Sequence, residues 1–484
     1  MKTAIIGGGI GGLITALYLR QQGDEVVIYE KDFQLGGRLA FVEHQGYRID
    51  KGPTIVLLPD MIYTILEEVG IKRSEIELLR IDPLYKLNYP DGMDFYKWSD
   101  TEKQINEISR QFPGQENGFL TYLDQMKWRF DQGKSAFLDR SFVRKNDFFN
   151  PSTLKTLWKL KAYQTVREQV KQFFSHPRLQ EAFSFQTLYI GGSPFRSPAM
   201  YSLVPFSEHY HGIWYVKGGY ASIVSLLESK LRERGVTIML GHEVTSLETS
   251  QSSCRGVWID GQLAEADRFV LNGDFPLARK LVPKEQSNKS YTPSSACLLL
   301  YLGLSRPFEE ADVHQFIMSD DFDKHMKDVF VDKQLPKDPS MYVFYPSKID
   351  SSLAPHGKAV MYVLIPVPSG SNINWTKIDK YVDNRLDILE NRGFKGIKAA
   401  IDWMEIRTPA DAEQEGLYEG GSFGIAPTLT QSGVFRPQLR PFSYNNIYAV
   451  GASVHPGGGI PIVMQGAKLL ADYLKDEKNR LASS

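Results

Sequence analysis

The sequence predicts an α/β fold on a doubly wound, Rossmann-like parallel sheet, and three features of residues 1–39 carry the prediction: MKTAIIGGGIGGLITALYLRQQGDEVVIYEKDFQLGGRL. Residues 4–6 are an apolar run of the kind that forms a buried strand. Gly7, Gly9 and Gly12 follow at G-x-G-x-x-G spacing. Leu13, Ala16 and Leu17 then share a helical face, Gly23 closes the helix, and residues 26–29 give a second strand with Glu30 at its end. Each part has a physical role. The first glycine permits the tight turn, the second lets backbone N–H groups approach a pyrophosphate, and the third lets helix and strand pack closely. The helix N-terminus offers its positive end to phosphate. Glu30, eighteen residues beyond Gly12, is spaced to accept hydrogen bonds from an adenosine ribose. The expected dinucleotide site is thus Gly7, Gly8, Gly9, Ile10, Gly11 and Gly12 with Glu30 and the adjoining Lys31.

Gly36, Gly37 and Arg38 make a second glycine turn carrying a fixed cation. An ordinary surface turn with a solvated arginine is the plain alternative. Coming directly after a ribose-binding acid, the turn resembles that of the FAD-binding amine oxidase and carotenoid desaturase superfamily. NAD-dependent dehydrogenases usually lack it. The resemblance implies FAD, with the Arg38 guanidinium paired to the diphosphate.

Further segments read as parts of the same unit. From Trp214, WYVKGGYASIVSLLESKLRERGVTIML gives a glycine turn, an amphipathic helix and a strand, and Asp260-Gly261 between apolar runs signals a hairpin. Near the C-terminus, residues 447–450 read as a buried strand, GASVHPGGGIP as a glycine-rich loop, and Ala467, Leu470, Ala471 and Leu474 as the inner face of a helix. Residues 1–85, 214–289 and 420–484 are therefore assigned to a dinucleotide-binding domain. Residues 86–213 and 290–419 are assigned to an inserted α+β substrate domain, whose runs ACLLLYLGL, MYVFYP and VMYVLIPVP suit a mixed sheet with an apolar face toward a cavity.

Composition narrows the classes. At 484 residues the chain has room for two or three structural units, and a formal net charge of −1 gives no general attraction to nucleic acid. Cys254 and Cys297 stand far apart without metal-ligand spacing, so neither a disulfide scaffold nor a metal site is expected. The uncharged stretch 4–19 carries fingerprint glycines and lacks a cleavage site, which excludes a signal peptide. No apolar run reaches the ~18 residues of a membrane span. A cytoplasmic location with peripheral membrane association is expected. Residues 127–174 supply the membrane surface: eleven Lys/Arg stand against four Asp/Glu, with ten aromatics interleaved. Trp128, Phe130, Phe137, Phe142, Phe148, Phe149 and Trp158 lie among Arg129, Arg144, Lys145, Lys155, Lys159 and Lys161. That mixture suits an amphipathic helix on anionic lipid. A solvated basic face over core aromatics is the alternative.

Several stretches together resemble the bacterial phytoene desaturase family of carotenoid oxidoreductases, and most of all its branch acting on C30 substrates, the 4,4'-diapophytoene (dehydrosqualene) desaturases. They are GPTIVLLPD at 52–60, FQTLYIGGSP at 185–194, YVKGGYASI at 215–223, FGIAPTLTQSGVFRPQ at 423–438 and GASVHPGGGIPIV at 451–463. The resemblance runs the length of the chain. It implies non-covalent FAD and a long apolar polyene, 4,4'-diapophytoene, drawn from the membrane to acquire conjugated double bonds. It places Gly37 and Arg38 at the diphosphate, Val244 at the adenine, and Pro53, Thr54, Gly451, Pro461, Ile462 and Met464 beside the isoalloxazine. Many flavoenzymes carry an acid after the glycine of the last strand, where this chain has Ala452, so the ribitol partner is unassigned. His455 is the nominee for proton acceptor, with hydrogen bonding to loop backbone as its alternative. Asp50 is read as ordering backbone. The competing functions are a terminal-methyl oxygenase of the same pathway, an amine oxidase, for which no aromatic cage is evident, and a non-catalytic prenyl-lipid carrier of the same architecture. Oligomeric state is not legible.

Overall fold

The computed structural model describes residues 1–133, 138–142, 148, 150–283 and 289–483. Its base is a five-stranded, wholly parallel sheet in the spatial order Ile447–Ala449, Arg268–Leu271, Lys2–Ile6, Glu25–Glu30, Thr237–Leu240. The glycine-motif strand is central, and Ile5 pairs with both Val270 and Ile28. All three are fully buried, as a parallel sheet covered on both faces requires. The helix Ile10–Gln21 is buried at every position from Ile10 to Leu19. This exceeds the single apolar face expected, because the helix is wedged between Ser222–Glu233 and Ile460–Ser483. Immediately after it, Asp24 is 1% exposed and meets Arg268 at 3.2 Å and Lys478 at 3.4 Å. The expected hairpin joins Ser253–Ile259 to Gln262–Glu265, with Asp260 and Gly261 both at positive φ.

A second sheet of seven strands runs in the order Ile401–Arg407, Ala296–Leu304, Ala359–Val367, Met341–Phe344, His314–Ile317, Tyr85–Asn88, Asp94–Lys97. It is mixed: only His314–Ile317 with Tyr85–Asn88 is a parallel pairing. Strand Ala296–Leu304 is buried throughout, so its two faces serve two cores. Leu298, Leu300 and Leu302 pack toward the helix Asp379–Asn391, while Cys297 and Leu299 face the opposite way, into the cavity described below.

The basic, aromatic stretch is not one amphipathic helix. It spans the end of Glu116–Gly133, then Pro151–Lys159 and Val166–Val170, with Lys161 in a left-handed turn between the last two. Its members also divide. Phe142, Phe148 and Arg129 are buried, whereas Trp158 is 70% and Trp128 44% exposed, beside exposed Lys127, Lys155 and Lys159. Phe137, Arg144, Lys145 and Phe149 lie outside the described residues. Among the described residues no helix is long and apolar enough to cross a membrane.

Candidate active site

All five strands of the parallel sheet end on one cavity of about 770 Å³. Gly7, Gly9, Ile10 and Gly11 line it after the first strand, and Glu30 and Lys31 after the second. His242 and Val244 follow Thr237–Leu240, Asn272 and Asp274 follow Arg268–Leu271, and Gly451 and Ser453 follow Ile447–Ala449. Carboxyl ends of parallel strands are where α/β sheets bind ligands, because the loops diverge there and helix N-termini point inward.

The glycines form a cradle. A Cβ on Gly9 would meet only Asn272 Nδ2, at 3.2 Å, and Gly36 O, at 3.9 Å, and one on Gly37 only Gly9 Cα at 3.9 Å. Across the cavity, Cβ atoms on Gly458 and Gly459 would find nothing nearer than 3.4 and 3.8 Å. Backbone is thus bared on both sides of the same space. Gly8 and Gly12 lie outside the wall and work behind it. Gly8 N donates to Glu30 Oε2 at 2.6 Å, and a Cβ on Gly12 would strike Gly7 O at 2.5 Å. Glu30 does more than spacing implied: its other oxygen accepts Asp32 N at 3.0 Å, so the carboxylate pins the turn while lining the cavity. Arg38 lines it too, donating to Ser422 O at 2.9 Å.

Pro53, Thr54, Pro461 and Ile462 border the cavity, and the N-terminus of the helix Ile460–Ser483 opens onto it. Met464 does not. It is fully buried in the core containing Leu13 and Leu17, because each residue of a helix turns about 100° and the position after Val463 faces inward. His455 lies in the wall, but its Nε2 is engaged with Arg140 O at 2.9 Å and its ring packs on Phe142. This is backbone tethering, though to a distant segment rather than its own loop. Asp50 orders backbone: it accepts Tyr220 N and Ala221 N at 3.0 and 2.8 Å, and burial still pushes its carboxyl up to about 7.

Three site residues escaped the sequence reading. Asn272 Nδ2 donates to Gly7 O (3.0 Å) and Gly9 O (3.2 Å), bracing the turn. Asp274 accepts Tyr418 N at 3.0 Å and is also bonded by Ser453 Oγ. Arg436 is 4% exposed, donates to Ala452 O, and its Nε, beside Gly457, has no hydrogen-bond partner among the described residues. The signal for the first two was the polar Asn-Gly-Asp directly after an apolar strand. For Arg436 there was none.

Beyond the cradle the same cavity becomes an apolar chamber. One face of the seven-stranded sheet supplies Leu299, Phe316, Tyr342 and Leu364, and helical segments supply Phe130, Leu160, Phe185 and Val204. The rings come from separate segments, which is why no aromatic cage was evident in the sequence. Thr54 Oγ1 lies 2.9 Å from the Tyr342 hydroxyl, which lies 2.8 Å from His314 Nδ1. Burial lowers His314 to about 3. A base whose folded value lies below its free value of about 6.5 contributes fully above 6.5 and progressively less below it. The stability advantage of wild type over His314→Gln should therefore shrink by about 1.4 kcal/mol per pH unit between pH 6.5 and 4.5. Denaturant midpoints of the two proteins at matched pH test this, and a constant difference would contradict it.

The parallel sheet, its glycine cradle and the joined apolar chamber are the architecture of a dinucleotide-binding protein with room for a long apolar ligand. The sequence matches the flavin containing amine oxidoreductase family over residues 10–474. It is 54% identical to the 4,4'-diapolycopen-4-al dehydrogenase of Metabacillus indicus, across 99% of this chain and 98% of that one. It is 32% identical to the 4,4'-diapophytoene desaturase (4,4'-diaponeurosporene-forming) of Staphylococcus haemolyticus, across 99% of both. In fold it is similar to an oxidoreductase of Methanosarcina mazei (TM-score 0.67, 16% identity, 98% of this chain and 100% of that one). It is also similar in fold to putrescine oxidase bound to putrescine (TM-score 0.65, 15% identity, 99% of both). The chain belongs to the flavin containing amine oxidoreductase family and is a flavin-dependent enzyme of its carotenoid oxidoreductase branch.

Proposed function

We propose that the protein binds FAD non-covalently and desaturates a linear C30 carotenoid precursor, 4,4'-diapophytoene, at the membrane surface. The observation that carries this reading is the continuity of the cavity, from the glycine cradle into a chamber walled by apolar side chains. The names of the Staphylococcus and Metabacillus relatives supply the C30 substrate class. In this reading residues 1–85, 214–289 and 420–484 hold the cofactor, and 86–213 with 290–419 hold the chain. Gly7, Gly9, Ile10, Gly11, Glu30, Lys31, Gly37 and Arg38 hold the adenosine diphosphate, with Asn272 fixing the turn. Val244 meets the adenine. Pro53, Thr54, Gly451, Pro461 and Ile462 border the ring system, with Arg436 behind it.

When bound, flavin would supply the two-electron acceptor for the hydride and proton removed from adjacent unactivated carbons. The protein's share is to align the chain and exclude water, which the rings of Phe185, Phe316 and Tyr342 accomplish. The test is direct. Protein that purifies yellow and converts 4,4'-diapophytoene to products lighter by two mass units per step supports the reading. A colourless protein would instead favour the lipid carrier, and oxidation of amines alone the amine oxidase. The 54% identity to a dehydrogenase named for a terminal aldehyde favours a second reading, oxidation at the end of the chain. Conversion of the corresponding terminal aldehyde, offered as substrate with water, to an acid heavier by one oxygen would select it, whereas oxygen gained by the hydrocarbon itself would select the terminal-methyl oxygenase.

For membrane association, the exposed Trp128 and Trp158 with Lys127, Lys155 and Lys159 stand on segments whose inner residues, Phe130 and Leu160, line the cavity. A polyene entering there would pass from lipid to tunnel without crossing water. Each basic residue near anionic lipid contributes about 1 kcal/mol. Reversing Lys155, Lys159 and Lys161 to Glu should strip the protein from anionic liposomes, with flavin content unchanged and wild-type binding weakened by salt. Undiminished sedimentation of the triple variant with liposomes would remove this surface from consideration.

A further inference from the structure

One charge in the cofactor cavity has no bonded counter-charge among the described residues. Arg436 lines the cavity and is 4% exposed, and its hydrogen bonds go only to backbone carbonyls, to Gln431 O at 3.3 Å and to Ala452 O. Its Nε lies beside Gly457 without a hydrogen-bond partner among the described residues. Two other buried arginines lean on acids: Arg268 meets Asp24 at 3.2 Å, and Arg407 meets Glu415 at 2.6 Å. Asp274 attracts Arg436 only from beyond ion-pair distance, and the same acid also attracts Arg38. Burial pulls the guanidinium's pKa down, yet arginine begins above about 12 and remains charged.

A buried cation without a paired acid destabilises the fold, unless a bound group supplies the missing negative charge. The position of Arg436 indicates which group. It holds the carbonyl of Ala452, directly after Gly451, and stands beside Gly457. That loop leads into the helix Ile460–Ser483, whose positive N-terminal end opens onto the same space. We propose that Arg436 is the fixed counter-charge for the reduced flavin ring, acting across the loop of residues 451–459 by its field rather than by contact. The inference rests on the reading that Gly451, Pro461 and Ile462 border the ring, and adds to it a residue that makes the bound cofactor a stronger oxidant. Accepting a hydride from carbon adds one negative charge to the ring, while the proton lost from the neighbouring carbon leaves separately. A fixed cation stabilises the more negative form and so raises the potential of the couple. In a cavity that excludes water that field is little screened. An unactivated C–H bond is a poor hydride donor, and a raised potential suits such a donor.

The readout is the midpoint potential of the bound flavin, measured against a redox dye and independent of any substrate. Arg436→Gln should shift the balance toward the oxidised form about 10-fold, a potential lower by about 30 mV for a two-electron couple. Arg436→Lys keeps the charge and should retain most of the wild-type value. Asp274→Asn removes the acid that opposes the guanidinium and should raise the potential, which decides the matter should Arg436→Gln fail to fold. A wild-type potential in Arg436→Gln, or in Asp274→Asn where Arg436→Gln does not fold, overturns the proposal. So does an equal fall in Arg436→Lys and Arg436→Gln, which would mark a role of shape rather than charge. If Arg436→Gln binds oxidised and reduced FAD more weakly by the same factor, the guanidinium serves the diphosphate and the proposal fails. These results overturn the role of Arg436 alone. Wild-type protein that takes up no flavin would remove the ring from this loop, and the proposal with it.

Discussion

Gly9→Val should give a folded protein that purifies without flavin. Gly9 has φ −73° and ψ 170°, an extended conformation any residue adopts, so valine strains no backbone. Its Cβ would approach the Asn272 side-chain amide at 3.2 Å and Gly36 O at 3.9 Å, and its methyl groups would project into the cradle. Hydrogen bonds from backbone N–H groups to a charged phosphate contribute about 1.5–3 kcal/mol each. Excluding the group from two of them weakens retention by roughly 100-fold or more. Gly12→Val supplies the contrast. There the Cβ meets the backbone oxygen of Gly7 at 2.5 Å, which cannot give way, with the buried side chain of Ile5 at 3.1 Å. That variant should fail to fold, or melt far below wild type, with or without flavin. Flavin absorbance and thermal melting of the two proteins decide the matter. A Gly9→Val protein carrying stoichiometric flavin would remove the cradle from the cofactor site.

The second large effect is expected at Asp24, far from the chemistry. Asp24 and Arg268 are 1% and 4% exposed, and their 3.2 Å ion pair joins the segment after the first helix to the neighbouring strand, with Lys478 of the last helix at 3.4 Å. Asp24→Ala leaves a guanidinium buried without its counter-charge, a change that costs about 3–5 kcal/mol. Replacing both partners at once, Asp24→Ala with Arg268→Met, should cost less than Asp24→Ala alone, because the stranded charge is then gone. Urea midpoints of the single and double variants measure this. If the double variant is the less stable of the two, direct attraction within the pair, rather than the stranded charge, sets the penalty.

What the sequence by itself determined was local. The strand–glycine turn–helix unit, the acid at its far end and the apolar runs of the second sheet each depend on spacing within a few dozen residues. There the period of side-chain direction and the conformational freedom of glycine leave few alternatives. So Lys2–Ile6, Ile10–Gln21, Ala296–Leu304 and the Asp260-Gly261 hairpin could be read directly. The tertiary structure decided what depends on convergence. Asn272 braces Gly7 and Gly9 across more than 260 positions of chain, and Arg436 reaches Ala452 across sixteen positions, from a recognisable stretch that did not say where the side chain would point. Met464 turned inward and His455 was tethered to Arg140 because packing against neighbours, not position in a motif, sets where a side chain points. Lys97, Gln186 and Glu208, all fully buried, come from three separated stretches, with Glu208 Oε2 accepting the Tyr85 hydroxyl at 2.9 Å. A polar group sealed among apolar side chains has no signature in a linear sequence, since only folding removes it from water.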